Sequence, residues 1–356
     1  MSEYAAITGW GKCLPPAILT NDEIASVIDT SDEWIRTRSG IRERRVSHVP
    51  GSDLAAVAGQ RALAAAGINP EDLDLLIVAT CTPDTVIPST AAHVQHKIGA
   101  HNAAVFDLNA GCSGFIYSLE VATSMIRSGT YQKALVIGSE RITWLFNWSN
   151  RDTAVLFGDG AGAVVAEPST RESGLLYSHL GCEGDAADAL HVPNFGTAGN
   201  RFVKDYAAFG VHFDGREIFR RAVKGMTHET EIVLEKLNLT QADIDRIIPH
   251  QANLRIIESL AKHLSVDMSK VEVNIQKYGN ISAATIPVAL VEALEAGRIK
   301  AGDRILLAAF GAGLTRAAGL LRWGERTTPL QQSDAALPAC NQTALELVGD
   351  SIKLTL

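Results

Sequence analysis

An internal repeat constrains the fold of this chain more than any other feature of its sequence. Residues 69–77, Asn-Pro-Glu-Asp-Leu-Asp-Leu-Leu-Ile, are similar to residues 240–248, Thr-Gln-Ala-Asp-Ile-Asp-Arg-Ile-Ile. The spacing is then kept, because the apolar strands predicted around Leu135 and Leu306 follow at the same distance in both copies. Two copies of a strand–helix unit related by a pseudo-twofold axis place equivalent turns close together. The repeat therefore predicts two similar α/β halves whose turns meet at one pocket.

The length and composition of the chain argue against several classes of protein. With 356 residues it can form two domains or one duplicated domain, and no window is apolar over the ~20 residues that a membrane helix needs. The net charge of -8 argues against a general nucleic-acid binder, and the N-terminus lacks the pattern of a secretory signal. Five cysteines, at positions 13, 81, 112, 182 and 340, lack metal-ligand spacing. An odd, scattered set is typical of a reducing compartment, so we expect a cytoplasmic protein without a metal.

Cys112 lies where a predicted buried strand, 103–108, turns into a predicted helix that begins near Phe115. Gly111 and Gly114 flank it and permit a tight turn. A cysteine at the N-terminus of a helix is near the positive end of the helix dipole, which favours the thiolate. Cys112 is thus placed as a nucleophile would be, although a small buried cysteine that only packs against a sheet explains this stretch equally well.

Two further polar side chains lie where predicted elements end or begin. His250 follows the apolar strand 244–248, a usual position for catalytic residues in α/β folds, and Asn280 lies in a turn before a helix. Taken singly, a hydrogen-bonded histidine and a helix-capping asparagine are the simpler interpretations. Together with Cys112 they favour covalent acyl transfer. A papain-like protease uses the same residue types, but the tryptophan that follows its cysteine is absent here.

Two segments have compositions that suggest ligand binding. Residues 30–44 are polar and fit either a solvated loop or a grip on a nucleotide, since they contain Trp34 and four arginines, Arg36, Arg38, Arg42 and Arg44. The glycine-rich turn 157–162 enters a strand and lacks a following Gly-Lys-Ser/Thr, so we expect a tightly packed turn and no phosphate loop.

The remaining predictions concern boundaries. Residues 173–213 are expected to be irregular and to cover the site, and residues 351–356 to form a short strand. We assign 1–170 to a half with the nucleophile and 171–325 to a half with the histidine and asparagine. Residues 326–356 are an extension of unknown role.

Six ordered motifs resemble β-ketoacyl-acyl-carrier-protein synthase III, a condensing enzyme of the thiolase superfamily. The resemblance extends from about Tyr4 to Trp323. It implies an α/β fold, a thiolase-like duplicated five-layered α-β-α-β-α sandwich, and a homodimer. The motifs are 29–35 (Asp-Thr-Ser-Asp-Glu-Trp-Ile), the arginines after it, the Cys112 turn, 157–162 (Phe-Gly-Asp-Gly-Ala-Gly), 249–255 (Pro-His-Gln-Ala-Asn-Leu-Arg) and 279–284 (Gly-Asn-Ile-Ser-Ala-Ala).

The resemblance implies an acyltransferase that starts fatty-acid synthesis by a decarboxylating Claisen condensation. Cys112 would accept the acyl group of an acyl-CoA, with the backbone N–H groups of Cys112 and Ala312 as the oxyanion hole. His250 and Asn280 would donate hydrogen bonds to the thioester oxygen of malonyl-acyl-carrier-protein and stabilise the enolate left by carbon dioxide. Phe310 would form an apolar wall beside the malonyl carboxylate, which favours its loss. No cofactor is expected besides the two substrates.

The resemblance also implies roles in binding. Trp34 and Arg151 would hold the adenine of CoA, and Ile87 would shape the acyl pocket across the dimer. The complete set of expected substrate-binding residues is Trp34, Arg38, Arg151, Ile87, Phe219 and Arg255. The expected basic patch for an acidic acyl carrier protein consists of Arg220, Arg255 and Lys262.

Four departures from the family pattern affect the surroundings of Cys112. Asp152 stands where a glycine usually follows the adenine-binding arginine, and a carboxylate there could weaken CoA binding. Ala312 stands at the oxyanion glycine, so its N–H is available if the backbone angles suit a Cβ. Ile87 stands at a frequent phenylalanine and could admit a longer or branched chain. Residues after Trp323 lie beyond the usual end of the family.

These departures keep an alternative open, a related acyltransferase or condensing enzyme of secondary metabolism with a different acyl donor or acceptor. A degradative thiolase is less well supported, because the turn 311–316 lacks the second cysteine that such an enzyme needs. A non-catalytic acyl-carrier binder would have no need of Cys112, His250 and Asn280 together.

Overall fold

The computed structural model describes residues 3–148, 150–193, 196, 197, 199, 202 and 210–355. Its strands are β1 (Tyr4–Cys13), β2 (Ala17–Thr20), β3 (Glu43–Val46), β4 (Leu75–Ala79), β5 (Ala104–Leu108), β6 (Ala134–Arg141), β7 (Asp159–Ser169), β8 (Gly174–Cys182), β9 (Leu190–His191), β10 (His212–Phe213), β11 (Arg246–Pro249), β12 (Arg304–Gly311) and β13 (Thr315–Arg322). Its α-helices are α1 (Asn21–Ala25), α2 (Asp32–Ser39), α3 (Gly51–Ala66), α4 (Thr90–Ile98), α5 (Gly114–Arg127), α6 (Arg151–Ala154), α7 (Gly215–Lys236), α8 (Leu254–His263), α9 (Ile275–Tyr278), α10 (Thr285–Glu295) and α11 (Ala344–Thr355).

Nine strands form a mixed sheet in which one order of strands occurs twice. Strands β1, β7, β6 and β4 are adjacent in that order, and β8, β13, β12 and β11 repeat it. In the first copy β4, which contains the end of the repeated sequence segment, pairs in parallel with β6, and Leu75 lies opposite Ala134. In the second copy β11 pairs in parallel with β12, and Arg246 lies opposite Ile305. The two sets meet at β1 and β8. The duplication in the sequence is therefore a duplication of topology.

Helices separate and cover the two sets of strands. Helices α5 and α10 lie between them, where Leu119 and Leu290 share a core with Val136 and Leu307 of the two sets. Helices α3 and α4 cover the outer face of the first set, and α7 and α8 cover the outer face of the second. The strands bury side chains on both faces, which explains their continuous apolar sequences. The result is the five-layered α/β sandwich that the resemblance implies.

Two local predictions are wrong in part, and one open alternative is excluded. Residues 32–39 form helix α2, which excludes the solvated-loop interpretation there, because Ser31 Oγ accepts the N–H of Trp34 at 3.1 Å and Gly40 ends the helix at a φ of 83°. Residues 174–182 are not irregular but form β8 against β13. Residues 344–355 form α11, although a strand was predicted at 351–356, because Thr343 and Glu346 make a capping box ahead of it.

The expected cover over the site, residues 173–213, is described only in part. It includes residues 194–195, 198, 200–201 and 203–209, which lie outside the described residues. Strand β7 ends at Ser169 and β8 begins at Gly174, and the division after residue 170 between the proposed halves falls between them. None of the helices in the described part of the chain combines the length and apolarity that a bilayer-spanning segment requires.

Candidate active site

Cys112 lies in the turn between β5 and α5, two residues before the helix begins. Gly111 adopts a φ of 54°, and a Cβ on it would lie 2.8 Å from the backbone nitrogen of Ala312. A Cβ on Gly311 would lie 2.5 Å from the backbone nitrogen of Cys112. Glycines thus allow the turn of the first repeat and the end of β12 to approach closely. The two N–H groups expected to form the oxyanion hole belong to these adjoining segments.

His250 and Asn280 are fixed by backbone hydrogen bonds. The N–H of His250 donates to Ala308 O at 2.8 Å and continues the pairing of β11 with β12. The N–H of Asn280 donates to Leu156 O at 2.9 Å, and the N–H of Gly158 donates to Asn280 O at 3.1 Å. Asn280 of the C-terminal half is therefore held by the glycine-rich turn of the N-terminal half.

Close packing explains the glycines of that turn. A Cβ on Gly158 would lie 2.5 Å from the carbonyl oxygen of Tyr278, and one on Gly279, at a φ of 64°, would lie 2.7 Å from that of Leu156. Any larger residue would separate the two segments and displace Asn280. This agrees with the prediction of a tightly packed turn over 157–162.

Cys112, His250 and Asn280 line one cavity of about 990 Å³, a size that suits a small-molecule site. The three side chains are 8%, 3% and 6% exposed. The cavity is also lined by six further residues named from the sequence, which are Trp34, Arg38, Asp152, Phe219, Arg255 and Phe310. The equivalent turns of the two repeats thus meet at one pocket, as the internal repeat predicts.

Burial governs the protonation of the nucleophile and the histidine. It raises the pKa of the Cys112 thiol to about 12, and a hydrogen bond with Ser282 opposes this only in part. Burial lowers the pKa of His250 to about 3. At neutral pH the resting site therefore contains a protonated thiol and a neutral imidazole, in contrast to the thiolate that the helix dipole alone would favour.

Ser282 connects Cys112 to Asn280 and to a buried carboxylate. Its N–H donates to Asn280 Oδ1 at 2.8 Å, and its hydroxyl donates to Glu140 Oε1 at 3.0 Å. It holds a φ of 47°, which is uncommon for a residue with a Cβ. Because Asn280 Oδ1 is occupied by this bond, the amide nitrogen of Asn280 is the group left to donate into the cavity.

Glu140 lies at the end of β6 and accepts hydrogen bonds from the segment that follows β4. Its carboxylate accepts the N–H groups of Cys81 and Thr82, at 3.2 and 3.1 Å, as well as the Ser282 hydroxyl. Burial raises the pKa of Glu140, while the surrounding donors oppose the shift. The carboxylate therefore ties Ser282, beside the catalytic candidates, to a rigid strand of the other repeat.

Thr285 lies behind His250 and orients its ring. The Thr285 hydroxyl donates to the carbonyl oxygen of Ser282 at 2.8 Å, and its oxygen lies 2.7 Å from His250 Nδ1. Because the single hydroxyl hydrogen is used on that carbonyl, the hydroxyl oxygen accepts the N–H of Nδ1. In the resting site the imidazole proton therefore lies on Nδ1, and Nε2 carries the lone pair.

The arginine-rich segment divides into binding and structural residues. The guanidinium carbon of Arg38 lies 4.6 Å from the ring centroid of Trp34, and the guanidinium carbon of Arg151 lies 4.5 Å from the same centroid. Arg44 is instead fully buried and donates to Leu19 O at 3.1 Å and to Val155 O at 2.6 Å. Arg36 pairs with Asp32 on the same helix. Of the four arginines, Arg38 lines the cavity.

The other residues expected in substrate binding lie away from the cavity wall. Ile87 is 87% exposed on the loop before α4. Arg220 is paired with Glu217, one turn away on α7, and Lys262 lies in the last turn of α8. In the described part of the chain, the non-glycine residues with positive φ are Asn238, Ser265 and Ser282, so the backbone of Ala312 accommodates its Cβ in an ordinary conformation.

Sequence reasoning did not identify Glu140, Ser282 or Thr285. A weak signal existed for Glu140, since it is a charged residue directly after the apolar strand 134–138, where the carboxyl ends of parallel strands meet. Ser282 and Thr285 lie within the 279–284 motif or next to it, but their partners become apparent only from the folded chain.

Two family models match the chain. The model described as 3-oxoacyl-[acyl-carrier-protein] synthase III matches residues 106–184, and its C-terminal counterpart matches residues 234–323. The first range contains Cys112, and the second contains His250 and Asn280.

The chain is similar over most of its length to proteins and structures of the same description. β-Ketoacyl-[acyl-carrier-protein] synthase III 2 of Vibrio vulnificus is 56% identical over 351 residues, 99% of this chain and 97% of the relative. The synthase III of Roseiflexus castenholzii is 48% identical over 329 residues, 91% of this chain and 99% of the relative. The crystal structure of 3-oxoacyl-[acyl-carrier-protein] synthase III from Aquifex aeolicus has a TM-score of 0.84 and 44% identity, and the match covers 90% of this chain and 100% of that one. The chain therefore belongs to the β-ketoacyl-acyl-carrier-protein synthase III family of condensing enzymes in the thiolase superfamily.

Proposed function

We propose that Cys112, His250 and Asn280 catalyse the decarboxylating condensation of an acyl-CoA with malonyl-acyl-carrier-protein, the reaction that starts fatty-acid synthesis. The observation that supports this most strongly is their position on one buried cavity. Each of the three has a hydrogen-bond partner behind it, so a sulfur, an imidazole and an amide are held at the same space. A nucleophile beside two oxyanion donors is what a covalent acyl transfer followed by enolate formation requires.

In the first step Cys112 accepts the acyl group. Its sulfur attacks the carbonyl carbon of the acyl-CoA thioester, the bond from that carbon to the CoA sulfur breaks, and the thiol proton passes to the departing CoA. The negative charge on the carbonyl oxygen is stabilised by the backbone N–H groups of Cys112 and Ala312. The ordinary backbone of Ala312 supports this role, because its N–H can stay in place despite the Cβ.

In the second step His250 and Asn280 stabilise the enolate of the malonyl group. Asn280 Nδ2 donates to the thioester oxygen, and His250 Nε2 donates to it once the Thr285 hydroxyl turns to donate to Nδ1 and the imidazole proton moves to Nε2. Phe310, buried at the end of β12, provides an apolar wall that disfavours the carboxylate. Carbon dioxide leaves with the electron pair remaining on the enolate, whose carbon attacks acyl-Cys112. The Cys112 thiolate departs and a β-ketoacyl-acyl-carrier-protein is formed. These steps need no cofactor.

The carrier protein would approach along the cavity mouth formed by α7 and α8. Arg255 lines the cavity with its guanidinium carbon 5.7 Å from the ring centroid of Phe219, and Lys262 extends the positive charge along α8. Arg220 contributes less, because Glu217 accepts three of its hydrogen bonds. An acidic carrier protein is attracted to such a surface.

The edge of the sheet supports a homodimer. Strand β5 is the last strand at its end of the sheet, and Val86 and Ile87 project nearby with 88% and 87% exposure. An open edge with apolar neighbours is suited to pairing with a second copy of the chain. Ile87 would then reach the acyl pocket of the partner.

Five free cysteines also support a cytoplasmic location.

Acylation and decarboxylation can be tested in sequence. We expect one acyl group on Cys112, detected by intact mass, after incubation with acyl-CoAs of increasing length. Chains longer and more branched than acetyl should be accepted, because Ile87 is smaller than the phenylalanine frequent at this position in the family. Addition of malonyl-acyl-carrier-protein should then release carbon dioxide and yield a β-ketoacyl product. Acylation without carbon dioxide, followed by transfer to another acceptor, would instead support the alternative from secondary metabolism. Absence of acylation by every donor would refute the proposal.

Substitution of Thr285 tests the tautomer of His250. We expect Thr285→Val to lower malonyl-acyl-carrier-protein decarboxylation about tenfold, since it removes the hydroxyl that bonds to Nδ1, while Thr285→Ser retains it. Acylation of Cys112 should change little in either variant. Nitrogen NMR of the histidines gives an independent readout, in which the Nδ1–H form of the resting His250 is lost in the valine variant alone. Equal rates in the two variants would show that Thr285 only fills space.

A further inference from the structure

The C-terminal tail, residues 324–356, separates this chain from many members of its family. The match to the Vibrio vulnificus relative spans 351 of the 356 residues, so it includes most of the tail. The match to the Roseiflexus castenholzii relative covers 99% of that protein but leaves 9% of this chain unmatched, a stretch as long as the tail. The condensing machinery is complete in proteins of that shorter length, so the tail serves something other than the reaction itself.

The first part of the tail is attached to the N-terminal half along the end of α3. The N–H groups of Leu330 and Gln331 donate to the carbonyl oxygens of Ala65 and Ala64, at 3.0 and 3.2 Å. These are carbonyls of the last helical turn, which have no partner within their own helix. Farther on, the Arg61 guanidinium donates to Ala335 O at 2.9 Å. The tail is thus directed across one face of the molecule towards α2.

The tail ends in α11, which is packed into a core. The Thr343–Glu346 capping box begins the helix, and Ala344 and Val348 are almost fully buried. Helix α11 contacts β2, β3 and the turn Ile142–Leu145. Burial of these two apolar side chains fixes the helix to the core, so its attachment is part of the fold.

The same core lies directly behind the proposed nucleotide slot. The cluster that contains Val348 also contains Ile35 of α2 and Val155, and Trp34 packs against its edge. Ile35 and Val155 line the cavity with Trp34 on their other side. The turn that α11 contacts precedes Arg151 in the chain, and Phe146 and Trp148 belong to the same cluster. Helix α11 therefore shares one core with Ile35, next to Trp34, and with residues that precede Arg151.

The Trp34–Arg151 pair is closed in this structure. The guanidinium carbon of Arg151 lies 4.5 Å from the ring centroid of Trp34, and the guanidinium also donates to Asp29 O at 3.1 Å. A base that stacks between them needs a wider gap, so Arg151 must move outward on its segment when a nucleotide enters. The energy needed for that movement depends on how firmly the segment is held from behind.

We propose that helix α11 positions the turn Ile142–Leu145, and through it Arg151, against α2 and thereby sets the affinity of this chain for the nucleotide end of CoA. It is a positioning element and contacts no substrate. The inference rests on the proposed function, because the slot is that of the acyl-CoA substrate. The carrier protein has no adenine, so the affinity for malonyl-acyl-carrier-protein should not depend on the helix.

Matched substitutions on the two faces of α11 test this. Val348→Asp introduces a carboxylate on the buried face, Val348→Ala removes only packing, and Leu354→Asp makes the same apolar-to-acid change at an exposed position. Calorimetry with CoA and with adenosine 3′,5′-bisphosphate should show about tenfold weaker binding for Val348→Asp, a few-fold for Val348→Ala, and wild-type binding for Leu354→Asp. The KM for acyl-CoA should rise with it, whereas the KM for acyl-pantetheine, which lacks the nucleotide, should stay constant.

The outcomes separate the two proposals. A folded Val348→Ala or Val348→Asp protein that binds adenosine 3′,5′-bisphosphate as the wild type does overturns the role of α11. Equal increases in the KM for acyl-CoA and acyl-pantetheine also overturn it, since they indicate general damage to the site. In contrast, nucleotide binding that depends on Val348 without any acylation of Cys112 in the wild type would leave the role of α11 intact and refute the proposed reaction.

Discussion

Replacement of Cys112 by alanine is expected to lower acylation of the protein by about 10⁴-fold or more, to the level of the uncatalysed reaction. Among the cysteines of the described residues, Cys112 lines the cavity and is therefore the sulfur placed to meet a bound thioester. Losing the nucleophile removes the covalent step and leaves only binding and oxyanion stabilisation. Intact-mass measurement after incubation with an acyl-CoA checks this directly. Decarboxylation of malonyl-acyl-carrier-protein should persist in the same variant, because His250 and Asn280 remain.

A second cysteine provides the control for that experiment. Cys182 is exposed at the end of β8 and is the thiol most open to non-specific acylation by a reactive thioester. Cys182→Ala should be acylated as the wild type is. Stoichiometric acylation of Cys112→Ala, or its loss in Cys182→Ala, would show that the nucleophile has been assigned to the wrong residue.

Alanine at His250 or at Asn280 is expected to slow decarboxylation by about 10²–10³-fold while leaving most of the acylation rate intact. Each substitution removes one of two donors to the enolate oxygen in a cavity from which water is largely excluded, where a single oxyanion donor has effects of this size. The acylation step uses a different oxyanion hole, formed by backbone N–H groups, and so it should be less affected. Carbon dioxide release and acylation, measured separately on each variant, give the comparison.

The contrast between the two steps is the informative result. His263→Ala changes an exposed histidine in the last turn of α8 and should leave both rates unchanged. An equal loss of acylation and decarboxylation in His250→Ala would mean that His250 also serves Cys112, as a base for its thiol. Burial lowers the pKa of His250, so its imidazole is neutral at neutral pH and could act as a hydrogen-bond donor or as a base. Comparison of the acylation and decarboxylation rates tells these two roles apart.

The convergence of Cys112, His250 and Asn280 could be predicted because it follows from the internal repeat. Equivalent strands of a duplicated unit end at equivalent positions, and the turns after them must meet. The support behind these residues could not be predicted in this way. The bond between Ser282 and Glu140 joins positions 142 residues apart in sequence, and no periodic pattern indicates it. Thr285 was hidden for the same reason, since its bond to His250 crosses 35 residues.

The polar composition of a segment was a poor guide to its structure where capping residues determine a helix. The arginines between Asp32 and Ser39 suggested a solvated loop, yet a serine ahead of them and a glycine after them define a helix. Val86 and Ile87 show another limit, because the sequence does not indicate that both apolar side chains are exposed, where the proposed homodimer would cover them.

The hydrogen bonds between Asn280 and residues 156–158 have a consequence for how the duplicated unit can have changed. Each half presents its own catalytic side chains, but the asparagine is oriented by backbone of the opposite half. A separated half could retain its strands and helices and would still lack a working centre. After the duplication, the two copies were therefore free to specialise, one for the nucleophile and one for the oxyanion donors, only as long as they remained joined. The proposed catalysis is therefore a property of the contact between the two copies of one duplicated unit.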